Sequence, residues 1–263
     1  APDRHAAFLE TPGVLLATPR FYIDPKLADL KQAYQAHLGR VLGLIGWPSP
    51  EERAKDIVTL ETRVAEVLML DAERSGNGKP ERATVAALSH AAAGFDWRAY
   101  LAGAELGKVT TVWLDSWDVT TKVAAIVAET PMPVLQARLA FATATARAQA
   151  LNKAMRDADF EFRNLANGKT VAAAPRSRAA ALAIEATMGE AIGALYVRQY
   201  AAAAAKAQGT EMAANLRAAM AARIDKAAWL SDATKVKAHA KLDGMIVKIG
   251  YPDRFDDYHG LAV

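Results

Sequence analysis

An all-α fold is what this 263-residue sequence predicts, and three observations predict it. Alanine is abundant while Val, Ile and Thr are sparse in the long segments, and alanine enters a helix without losing side-chain entropy. Apolar residues recur at steps of three and four, the stripe of a helix with one buried face. Only Lys108 to Leu114, with Val109, Thr110, Thr111, Val112 and Trp113, carries a run of β-favouring types. No fixed-period repeat and no Gly/Ser-rich linker interrupts the chain. The expectation is a single helical domain over 1–263, with 1–24 an irregular lead-in broken by Pro12, Gly13 and Pro19.

The elements follow in order. From Pro25 the stripe Leu27, Leu30, Tyr34, His37, Leu38, Val41, Leu42, Ile45 predicts a helix that stops at Gly46-Trp47-Pro48. Ser49 with Glu52 reads as a capping box for a second helix to about Ala72, with Ile57, Leu60, Val64, Val67, Leu68 and Leu70 inward. Ser75 to Gly78 reads as a loop, and 80–93 as a short helix. Asp96 is placed to cap the helix opened by Phe95-Asp96-Trp97. One long helix is expected from about Pro133 to Leu165, ended by Asn167-Gly168. Further helices are expected over 176–207, 210–228 and, capped by Ser231 or Asp232, through Val247.

Composition narrows the function. Hydrophobic residues are 52% and charged residues 23%, an ordinary globular balance. The net charge of +3 is the small difference between 32 basic and 29 acidic residues, and these are interleaved, as in Glu51-Glu52-Arg53. A nucleic-acid binder shows a clustered basic face instead. The absence of cysteine rules out disulfides, iron–sulfur clusters and thiol nucleophiles. No unbroken run of about 18 apolar residues occurs, so no membrane-spanning segment is expected. The first residue is Ala, which leaves room for a removed signal peptide, and a periplasmic or secreted location is favoured over the cytoplasm.

The chemistry legible from spacing is mostly absent. The five histidines are His5, His37, His90, His239 and His259, and no two lie within five residues of each other. A helical zinc site needs two imidazoles one turn apart so that both reach one ion. His259 beside Asp256 and Asp257 reads as a solvated acidic turn, and His37 on an apolar face as a packed histidine. No nucleophile elbow, P-loop or dinucleotide fingerprint occurs. Glu185 and Glu190, five apart on one helix, point to different sides.

Several segments carry more. Trp229, Thr234-Lys235, Lys241-Leu242 and Lys248-Ile249-Gly250-Tyr251-Pro252-Asp253 together resemble the signature of the neprilysin and endothelin-converting-enzyme family of zinc metallopeptidases, and Arg254 to Tyr258 resembles its bacterial continuation. Gly189 to Val197, with Leu195-Tyr196-Val197, is similar to another family helix. Phe95-Asp96-Trp97, Phe160 to Gly168 with Pro175-Arg176, Tyr34 to Gly46, and Leu60-Glu61 resemble further segments in the family's order. Thr18 to Tyr22 is a looser match.

The resemblance implies a non-catalytic helical lobe that caps the chamber of a zinc-dependent endopeptidase and restricts and positions oligopeptides. It implies that the partner is a catalytic lobe of the same or a companion polypeptide. That lobe carries the zinc and the H-E-x-x-H helix, C-terminal to the K-I-G-Y-P-D region; this chain ends ten residues after Asp253. No catalytic, metal or cofactor residue transfers, and the chain alone is expected to be inactive. The signature positions Trp97, Arg176, Tyr196, Trp229, Lys241, Gly250, Tyr251, Pro252 and Asp253 are expected to be structural. Gly250 permits a backbone closed to other residues, and Pro252 stops a helix. Tyr196 reads as core with its hydroxyl partnered, and Arg176 as either an ion-pair anchor or a solvated helix start. The competing expectation is a stand-alone helical binding or scaffold protein without hydrolytic activity.

Overall fold

The computed structural model describes residues 5–10, 13–75, 80–201 and 203–260, with side chains left out at 71–75. Contacts divide it into two compact units, 1–173 and 174–263. Helix is the dominant structure in both, and the sheet is small.

In the first unit, α1 (Arg20–Ile23) and a 3₁₀ turn (Pro25–Leu27) lead into α2 (Ala28–Leu44) and α3 (Pro50–Ser75). The expected stripe is largely right: Tyr34, His37, Leu38, Val41 and Leu42 are buried on α2. Ile45 instead caps the helix and is exposed. Gly46, at φ +73°, stops α2: its N–H donates to Gly43 O and the Trp47 N–H to Leu42 O, a turn that needs a left-handed residue. Ser49 starts α3 with its carbonyl accepting from the Arg53 N–H, at φ +50°. Ile57, Leu60 and Val64 face inward, but Leu70 is exposed, because the stripe outruns the helices that cover it.

Beyond α3 the expectations need correcting. The Gly76–Gly78 part of the expected loop lies outside the described residues. The helix expected over 80–93 is a strand, β2 (Glu81–Thr84), followed by the short α4 (Val85–Ala91). β2 pairs antiparallel with β3 (Thr111–Leu114), and β1 (Phe8–Leu9) pairs parallel on the other side of β3. Asp96 caps α5 (Trp97–Gly103), accepting from the Ala99 N–H at 2.9 Å. Val112, Leu114, Ala83, Leu88, Trp97 and Leu101 form a second small core.

Helix α6 (Trp117–Glu129) precedes a broken stretch where one helix was expected: α7 (Met132–Ala146), a 3₁₀ turn (Ala148–Ala150), then α8 (Lys153–Ala166). The restart is made by Asn152, whose side chain accepts from the Met155 N–H at 3.0 Å. Gly168, at φ +60°, then ends α8 as expected, with the Lys169 N–H donating to Asn164 O. The main core joins α2, α3, α6, α7 and α8 around Leu38, Val41, Leu42, Ile57 and Ala137, each essentially inaccessible.

Among the described residues the second unit holds three helices followed by an irregular stretch after Gly244. α9 (Arg176–Tyr200) kinks at Met188 (φ −129°, ψ 37°) and ends at Ala201, which is extended. α10 (Ala203–Lys226) therefore runs straight through Gln208-Gly209, where a helix end was expected. α11 (Asp232–Asp243) is capped by Ser231, accepting from the Thr234 N–H, and stops at Gly244 rather than Val247. No residue of α9 or α10 is buried. Among the described residues α9 is long and apolar enough to cross a membrane by length and composition. Glu185 and Glu190 interrupt its apolar run, yet the helix as a whole stays apolar.

Candidate functional site

The signature turn Gly250–Asp253 is held by side chains of its own unit. Gly250 adopts φ +70°, as its place in the sequence requires. Lys206 of α10 lies with its Nζ 4.5 Å from the centroid of the Tyr251 ring and 2.6 Å from Asp253 Oδ1. The ammonium thus meets an aromatic face and a carboxylate together, and the hydrogen bond to Lys206 holds the Asp253 carboxyl below its usual range. Beneath the turn, a Cβ on Gly209 would come within 2.7 Å of Ile249 Cγ2. Gly209 therefore acts as a seat for the turn in mid-helix, which explains why it does not end α10.

Beyond the turn, the Asp256 N–H donates to Glu190 Oε2 at 2.9 Å, and Phe255 packs over Gly193. An open groove of about 550 Å³ remains along α9, with Tyr196, Glu185, Tyr251 and Pro252 among its walls. Tyr196 is a wall residue, 62% exposed, with the Tyr200 ring at 5.0 Å, so its expected core placement is corrected. Ile246, three residues past the end of α11, is 86% exposed.

The remaining signature residues do not converge on this turn. Arg176 begins α9 exposed and makes no ion pair among the described residues, which is the solvated reading. Trp229 lies exposed before α11, and Lys241 sits in its last turn, where a cation suits the helix dipole. Trp97 belongs to the first unit, buried against Phe95 at 4.7 Å between ring centroids. Its indole Nε1 meets no acceptor among the described residues.

The sequence missed a buried polar cluster in the first unit. Glu61 of α3, 1% exposed, accepts from the Tyr22 hydroxyl (2.6 Å), the Tyr34 hydroxyl (2.9 Å) and Arg138 Nε (2.8 Å). Burial, and then the Glu61 charge, push both phenols well above their ordinary range, so they remain donors. The signal was present: Glu61 is an acid inside the apolar stripe Ile57, Leu60, Val64. His37 is stacked on Phe162 with centroids 4.4 Å apart, as a packed histidine should be. Burial, and secondarily Arg40, lowers its pKa to about 4.

No three His, Asp or Glu residues are grouped to hold a metal among the described residues. His259 pairs with Asp257 alone at 2.6 Å.

A helical chain built this way and closed by this turn has the architecture of the N-terminal region of neprilysin-like metallopeptidases. The model of peptidase family M13 matches residues 1–252, and the chain belongs to that family. It is similar to mouse endothelin-converting enzyme-like 1, at 25% identity over 95% of the chain and 33% of that protein. It is also similar to neutral endopeptidase of Lactobacillus helveticus, at 32% identity over 43% of the chain and 18% of that protein. Among solved structures, the open state of the Mycobacterium tuberculosis zinc metalloprotease ZMP1 superposes with a TM-score of 0.71 at 27% identity, covering 95% of this chain and 40% of that one. The chain spans about a third of the length of its first curated relative.

Proposed function

We propose that this chain is the helical, non-catalytic part of a zinc-dependent endopeptidase, and that it caps the reaction chamber and restricts and positions oligopeptides. The zinc and the hydrolytic residues belong, on this reading, to a catalytic lobe of the same or a companion polypeptide. Family membership supports it, as does the description of ZMP1 as a zinc metalloprotease. The observation that carries it is the concentration of exposed apolar side chains in residues 174–260, among them Leu182, Leu195, Met212, Leu216 and Trp229. Apolar surface left in one region marks a surface that another body covers.

The test joins this chain to an H-E-x-x-H-bearing M13 catalytic lobe and compares a short peptide with a folded protein as substrate. Chelator-sensitive cleavage of the peptide, with the folded protein spared, supports the proposal. If deleting residues 1–263 leaves both rates unchanged, the chain neither caps nor sieves. The same exposed surface favours a second reading, a stand-alone helical scaffold that binds a partner there. Mass spectrometry of the native product distinguishes the two: a polypeptide ending near Val263 favours the scaffold, and a longer one the peptidase.

A further inference from the structure

We infer that Glu61 is a latch: its buried carboxylate fastens the lead-in strap, residues 13–24, onto the helical core, so that loss of its charge frees the strap while the core stays folded.

The hydrogen bonds converge on one side chain. Glu61 Oε2 accepts from Tyr22 of the strap and Tyr34 of α2. Oε1 accepts from Arg138 of α7 and, at 3.4 Å, from the Leu15 N–H of the strap. The Tyr22 hydroxyl in turn accepts from the Leu16 N–H at 3.1 Å, and Arg138 Nη2 donates to Gly13 O at 3.4 Å. Two of the four donors to the carboxylate are therefore the strap's own, and the guanidinium is steadied by a strap carbonyl.

This makes the strap and the charge depend on each other. A buried carboxylate persists only while its lone pairs are satisfied, and losing partners leaves an uncompensated charge. Lifting the strap removes Leu15 and Tyr22 from Glu61, so water must enter. Removing the charge has the converse effect: the amide of a Gln here turns its N–H either toward Leu15 and Arg138, which can only donate, or toward the two phenols, which must then give up donating to it. The phenols cannot adjust by ionising, since burial and Glu61 keep them protonated.

The core does not depend on the strap in the same way. Leu16 and Tyr22 are the strap's buried contributions to it, with Val14 and Phe21 packed partly against it. The rest comes from α2, α3, α6, α7 and α8, including Leu38, Val41, Leu42, Ile57 and Ala137. Release of the strap is therefore a local opening.

The test is residue-resolved hydrogen exchange on the whole chain, with Leu15 and Leu16 as reporters. Glu61→Gln is expected to speed exchange at both amides by about tenfold or more, while interior amides of α2 and α8 change less than about threefold, the pattern of a sub-global opening. Equal acceleration across strap and core would make Glu61 an ordinary core residue and overturn the inference, as would unchanged exchange at Leu15 and Leu16. Should Glu61→Gln not accumulate folded, Tyr22→Phe carries the test, since it keeps the ring and removes only the hydroxyl. Selective acceleration at Leu16 is then expected, and a uniform or null effect overturns the latch.

Discussion

The two units solve the problem of burying apolar surface in opposite ways. The first unit encloses two cores, and its helices α2, α3, α6, α7 and α8 each present a buried face. In the second, Leu242 is a rare buried side chain, and neither long helix buries a residue. Alanine content explains how such helices form at all, since propensity does not require packing. Propensity alone stabilises weakly, and most helical stability comes from a packed face. Residues 13–173 bury their own apolar faces, whereas the long helices of 174–260 have no buried face of their own.

The largest effect that would break this comparison is separation of the units. Residues 168–175 are all exposed. Trypsin is expected to cut at Lys169, leaving the first unit intact while the second is digested. A time course read by mass spectrometry checks this, and a persistent fragment beginning near Thr170 would refute the asymmetry.

Core substitutions come next. Leu42→Ala, at a site with no exposure, should cost about 2–5 kcal/mol by lost transfer energy and a residual cavity. Leu216→Ala, at a site 65% exposed, should change stability by less than about 0.5 kcal/mol, as surface changes do. Urea titration of both variants sharpens the contrast, and equal losses would contradict it.

The acid response should belong to the first unit. His37 has its pKa lowered to about 4 by burial, against an unfolded value of 6.5. Above 6.5 both states are neutral there and the histidine has no pH effect. Between 6.5 and 4 the unfolded chain binds the proton and the folded one does not, so stability falls as pH falls, at about 1.4 kcal/mol per pH unit. His37→Gln should flatten that limb in denaturant titrations across the window.

The smallest effect concerns the signature turn. Asp253 is 98% exposed, so its pair with Lys206 is a surface contact. Lys206→Ala should leave the melting temperature unchanged and speed amide exchange only around Ile249–Asp253. A large stability loss would mean the turn is a packing element.

What the sequence made legible was local chemistry. The α2 stripe, the glycine stops at Gly46 and Gly168, and the Asp96 and Ser231 caps are short-range signals, and each matches the structure. The breaks at Arg147–Asn152 and at Ala201 contain no Gly or Pro and alanine is equally at home inside a helix, so the capping type at Asn152 was their one local signal. β2 was misread because Glu81–Thr84 becomes a strand only by pairing with β3. In the candidate site, Gly250 and Pro252 were readable from backbone restriction. Lys206, Gly209 and Glu190 were not, since they lie more than forty residues away in sequence from the turn they seat. Glu61 was visible as an acid in an apolar stripe, but its donors come from three segments, the strap, α2 and α7, that only the fold assembles.

On the proposed reading, the hydrolytic centre that this chain caps lies in a separate catalytic lobe. The direct measurement is hydrolysis of a fluorogenic oligopeptide by the purified 263-residue chain with added zinc, with and without chelator. No turnover above background in either condition is predicted. Chelator-sensitive cleavage by this chain alone would contradict it.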